Sequence, residues 1–63
     1  MNTYYFQGIR WIPSYRDFDF DDCHIVAENA KEAWKKLDQQ TNLKMWKTVG
    51  LLTINGQTYY EGV

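Results

Sequence analysis

With 63 residues and a formal net charge of −1, the chain is read as one small domain spanning 1–63, and its charge argues against binding dominated by non-specific phosphate contacts. A chain this short buries only about 60% of the surface its unfolded form exposes. Intrachain disulfides are excluded as reinforcement, because Cys23 is the only cysteine, so aromatic mass (three Trp, five Tyr, three Phe) must supply the core.

Charge is distributed unevenly. Five acids and no Lys or Arg fall between Asp17 and Glu28, whereas Lys31 to Lys47 contains five lysines against Glu32 and Asp38. Such a dipole can steer a partner at either pole. No apolar run approaches the ~18 residues of a membrane span, and no charged-then-apolar leader is visible, so the expected location is the cytoplasm.

Taken in chain order, Thr3–Ile12 is rich in aromatic and β-branched residues and is closed by Pro13, which predicts a strand. Tyr4 and Phe6 share one parity, Ile9 and Trp11 the other. Gly8 at the change suggests a bulge that would turn Phe6, Ile9 and Trp11 toward one core. A second strand is expected from Phe18 to Ala27, with Phe18 and Phe20 inward, the intervening aspartates in water and a slip of parity before Cys23, Ile25 and Ala27.

The helix follows from Asn29, a good N-cap with Glu32 three residues on, and from Ala30, Ala33, Trp34 and Leu37 at i, i+3, i+4, i+7. Glu32 and Lys36 stand in the favourable i,i+4 order. The helix should stop near 40–42. Met45–Ile54 reads as a third strand and Gln57–Glu61 as its return, joined by Asn55-Gly56, the residues a type I′ hairpin prefers. A two-residue turn would pair Ile54 with Gln57, Thr53 with Thr58, Leu52 with Tyr59 and Leu51 with Tyr60. The order is β-β-α-β-β: an α+β fold with a four-stranded, mainly antiparallel sheet and one helix packed on one face.

Strict alternation in this last hairpin sorts Val49, Leu51 and Tyr60 to one face and Trp46, Leu52, Ile54 and Tyr59 to the other, and neither set is polar. Three readings stay open: a wrapped core, an interface with a second copy or another protein, and a ligand groove.

The run RDFDFDD raises the question of a metal. Asp17, Asp19, Asp21 and Glu28 match positions 1, 3, 5 and 12 of a calcium loop, but Asp22 stands where the sharp-turn glycine belongs and Pro13 bars an entering helix. No metal or other cofactor is expected. Enzyme chemistry is not expected either: Cys23 and His24 are adjacent in a strand and leave by opposite faces, and no Gly-rich phosphate loop is present.

Two binding readings remain. In the first, Asp17, Asp19, Asp21 and Asp22 with Trp46, Leu52 and Tyr59 bind another protein, or a second copy forms a homodimer. In the second, Lys44, Trp46, Lys47 and Tyr59 interleave charge and stacking surface for single-stranded nucleic acid, which the net negative charge disfavours. The strand-to-helix junction HIVAENAKEAW (24–34) and the aromatic hairpin around Asn55-Gly56 give the chain a layout that resembles small accessory proteins of phages and prophages. That resemblance implies a soluble protein that acts by binding a host or phage component, for example as an inhibitor or modulator of a host protein in the host cytoplasm, and it transfers no functional residue. That the chain is non-enzymatic and has no role at a membrane is expected from the residues above.

Overall fold

In the computed structural model, which describes residues 1–62, the aromatic and β-branched run at the N-terminus forms β1 (Asn2–Ile12). Pro13 has no N–H to give a ladder, and the chain turns over 13–16 into β2 (Asp17–Ala27). The Tyr15 N–H donates to the Ile12 carbonyl at 3.3 Å, and Arg16 adopts a left-handed φ of 51°. Asn29 then caps α1 (Ala30–Thr41), its Oδ1 accepting the Glu32 N–H at 2.9 Å. Asn42, at φ 62°, ends the helix by donating its N–H to the Asp38 carbonyl.

A 3-10 turn over Leu43–Met45, which the sequence did not suggest, leads into β3 (Trp46–Ile54) and β4 (Gln57–Gly62). Asn55 and Gly56 both have positive φ, 53° and 80°, as a type I′ turn requires. Asn55 also fastens this turn to β1. Its N–H donates to the Thr3 carbonyl at 2.7 Å, and its Oδ1 accepts the Thr3 N–H at 2.8 Å.

The sheet order is β2-β1-β3-β4 and every neighbouring pair is antiparallel. The fold is therefore α+β, with α1 packed on one sheet face. The core joins Tyr4, Phe6, Ile25 and Ala27 from the first hairpin, Ala33 and Leu37 from α1, and Trp46, Val49 and Leu51 from β3. Trp34 meets the Phe6 ring edge-on at 4.8 Å.

How β3 delivers its apolar residues to a single face departs from strict alternation. Tyr5 pairs with Thr53 but Phe6 with Leu51, which leaves Leu52 as an extra residue. Ile9 pairs with Thr48 but Arg10 with Trp46, which leaves Lys47 as a second. Each bulge flips the facing, so Ile54, Leu51, Val49 and Trp46 all lie opposite residues on the helix side of β1. The expected division of these residues between two faces is thus corrected. Beyond Thr53–Thr58 the expected hairpin register fails as well: Leu51 pairs with Glu61, so Tyr59 and Tyr60 together oppose Leu52.

β1, by contrast, pairs with β2 without interruption from Asn2–Ala27 to Ile12–Asp17. No bulge resets the facing at Gly8, and Ile9 and Trp11 point away from the helix. Gly8 has a different task, since a Cβ there would lie 2.1 Å from the Thr48 carbonyl oxygen and 2.7 Å from the Val49 Cα. Nor does Lys36 pair with Glu32. Its Nζ donates to the Val26 carbonyl at 2.8 Å, a group on the outer edge of β2.

Two stability changes follow, both readable by urea denaturation. Gly8→Ala forces side-chain atoms against backbone that cannot yield cheaply, and should cost about 3 kcal/mol or prevent folding. Arg16→Gly removes the left-handed strain and should stabilise the protein by up to about 1 kcal/mol.

Candidate functional site

Unbroken pairing of β1 with β2 decides what stands on the sheet face away from α1. Because Cys23, Ile25 and Ala27 turn toward the helix, period-2 alternation sends Phe18, Phe20, Asp22, His24 and Val26 to the opposite side. There they lie across from Trp11, Ile9, Gln7, Tyr5 and Thr3. The expectation that Phe18 and Phe20 point inward is corrected: they are 44% and 54% exposed. Phe18 packs edge-on to Trp11 at 5.2 Å, and the Lys47 Nζ, brought to this side by its bulge, sits 5.6 Å from the centre of the Phe18 ring. Farther along, Tyr5 stacks against His24 at 4.6 Å and donates its hydroxyl to Asp22 at 2.8 Å, which pushes the Tyr5 pKa up. Tyr60 lies over Gly50, where a Cβ would come 3.2 Å from its ring, with Leu52 beside it.

Asp17, Asp19 and Asp21 project from the other face of β2, past the end that α1 covers. Each accepts the N–H of the residue after it: Phe18 at 2.8 Å, Phe20 at 2.7 Å and Asp22 at 2.9 Å. Those three amides share one parity and face the outer edge of the sheet, so the alternate aspartates satisfy backbone groups that a neighbouring strand would otherwise take. Asp19 also accepts the Tyr15 hydroxyl at 2.6 Å. That bond first, and the Phe20 N–H second, hold its carboxyl below the ordinary aspartate range. Asp21 pairs with the Arg10 Nε at 2.7 Å, the one ion pair among the described residues. Among the described residues no group of three or more His, Cys, Asp or Glu side chains is placed to hold a metal ion.

No family model matches the chain, and neither the curated proteins nor the solved structures contain a match to it.

The residues singled out from sequence are not gathered in one place. Asp22, Leu52 and Lys47 reach the open face, whereas Asp17, Asp19 and Asp21 leave by the other face of β2 and bend their carboxylates to its outer edge. Trp46 is buried at 8% exposure, with its Nε1 donating to the Thr41 hydroxyl at 2.9 Å and the Arg10 guanidinium 5.9 Å over its ring. Lys44 lies in the 3-10 turn, and Tyr59, by its parity with Gln57 and Glu61, is on the helix side of β4. Tyr5, Ile9, Trp11, Phe18, Phe20 and Tyr60 were missed as face residues. An unbroken parity from Phe18 through His24, set against Cys23, Ile25 and Ala27, is the signal that would have found five of them.

Cys23 faces the core beside Phe6, His24 the open side beside Tyr5. Burial, reinforced by Asp21 and Asp22, pushes the Cys23 thiol up, away from the reactive thiolate. No described helix is long and apolar enough to cross a membrane.

The Tyr15–Asp19 bond gives a titration with a defined sign. A carboxyl held low in the folded state contributes stability above its unfolded pKa of about 3.9 and loses it as pH falls through the folded value. Tyr15→Phe should move the Asp19 midpoint upward toward that unfolded value and shrink the acid-dependent loss below about pH 4. Carbon-detected NMR titration of the side-chain carboxyl reads both.

Proposed function

We propose that the protein is a non-enzymatic binding module whose open sheet face docks another protein, one presenting an apolar surface bordered by basic side chains. The observation that carries this reading is the exposure of Phe18 and Phe20 beside Trp11 and Ile9, with the aspartates of β2 along the border. Aromatic side chains supply most interface hot spots, and a row of one charge along a rim favours encounter with the opposite sign. The layout shared with phage and prophage accessory proteins supports a partner from the host or the phage, met in the cytoplasm and inhibited or modulated by being bound.

The nucleic-acid reading loses its centre, because Trp46 stacks within the fold and has no face to offer a base.

Affinity capture from a host lysate, followed by titration of the captured protein, tests the proposal. Phe18→Ser with Phe20→Ser should keep the circular dichroism spectrum, since both side chains stand outside the buried core. Binding should weaken by at least about thirtyfold, the effect of losing one hot spot. Asp19→Asn with Asp22→Asn should slow association and flatten its salt dependence. Capture unchanged in the phenylalanine variant would sink the reading.

A further inference from the structure

The two outer edges of the sheet are treated differently. On β2 the outward N–H groups of Phe18, Phe20 and Asp22 are taken by aspartate side chains, and the Val26 carbonyl by Lys36. On β4, among the described residues, no side chain takes an outward backbone group. In a two-residue hairpin the residues flanking the turn, Ile54 and Gln57, exchange both backbone bonds, so the N–H and C=O of Thr58 point away from β3. β4 is exposed along its whole length, and from Leu51 to Tyr60 the chain carries no charge and no proline. Charges, prolines and covering groups are the usual means of closing an edge, and this one has none over Gln57–Tyr60.

We propose that the β4 edge pairs antiparallel with β4 of a second copy, about a two-fold axis at Thr58. The register follows from the structure. The two residues opposing Leu52, Tyr59 and Tyr60, end the regular outer row, so pairing is confined to the stretch next to the turn. Thr58 then exchanges both backbone bonds with Thr58 of the second copy, and Gln57 stands opposite Tyr59. An identical strand is a suitable occupant because no like charges meet across the axis, Glu61 lying beyond the paired stretch and accepting a bond from the Trp34 Nε1. The β2 edges, with three of their outward N–H groups and the Val26 carbonyl already taken, then become the outer edges of an eight-stranded sheet and oppose growth beyond two copies, a closed arrangement. An axis perpendicular to the sheet leaves both open faces on one side, so the dimer presents two Phe18–Phe20 patches to whatever they bind. The pairing itself does not depend on what that face recognises.

Sedimentation equilibrium and amide exchange of the full chain test this together. The wild type should show a monomer–dimer equilibrium, with exchange at the Thr58 amide slowing as concentration rises. Thr58→Pro removes an outward N–H and no ladder bond to β3, its fixed φ being tolerated on an edge strand, and should raise the dissociation constant at least about tenfold with the circular dichroism spectrum unchanged. A wild type that is monomeric at about 1 mM, or whose Thr58 amide exchanges at the same rate at every concentration, would overturn the proposal whether or not the variant folds. So would a dimer that survives Thr58→Pro, or one that dissociates on Phe20→Ser instead.

Discussion

A helix can bury only what one sheet face presents to it, and β3 presents Trp46, Val49, Leu51 and Ile54 together only because Leu52 and Lys47 are looped out of its pairing with β1. With strict alternation half of these side chains would face solvent, and a domain of this size has no second layer to cover them. The Lys47 bulge has further consequences. It turns Trp46 under α1, where the Thr41 hydroxyl accepts from its indole, and sends Lys47 to the opposite face above Phe18. The same segment brings the Thr48 carbonyl to where a side chain on β1 would stand, which is why residue 8 carries none. Core, open face and the glycine of β1 are therefore one solution to a single packing problem.

The first half of β2 answers a different demand. α1 reaches the sheet over Cys23 to Ala27, so from Asp17 to Phe20 both faces of the strand are wet. Burial cannot explain the choice of residues there, but backbone chemistry explains half of it. An outer strand must do something with its outward amides, and an aspartate before each of them supplies an acceptor without a partner strand. The alternation that first suggests a metal site is thus, in the structure, a row of local caps, with Arg10 and Tyr15 tying two of the carboxylates down.

What could be read from the residues was whatever is decided locally. Asn29 with the apolar stripe of the helix, and Asn55-Gly56 with its turn, act over a few positions, and the element order followed from them. Strand facing is not local. In β3 the core positions are spaced three, two and three apart, and each step of three marks a bulge, yet that spacing becomes meaningful only once β1 is known to lie alongside. In β2 the aspartate–phenylalanine alternation was plain, but which set faced the helix depended on where the helix ends. The same reason hid the burial of Trp46: flanking lysines describe its neighbours in sequence, while its place in the core is set by a bulge one residue away.

These constraints leave a residue of side chains that stability does not explain. Aromatic mass is the chain's main means of building a core without disulfides, yet Tyr15, Phe18, Phe20, Tyr59 and Tyr60, five of its eleven aromatic residues, stand exposed. Tyr15 is accounted for by its bond to Asp19, and Phe18 in part by Trp11 and Lys47. Phe20, which lies across from Ile9 and faces away from the helix, leaves more than half of its surface exposed and is no part of the buried core. Exposed apolar surface also invites non-specific association, a standing cost for a protein with little net charge to keep copies apart. A side chain that adds little to the core and carries that cost is the ground on which the proposed binding role rests, and removing it is therefore the direct test of that role.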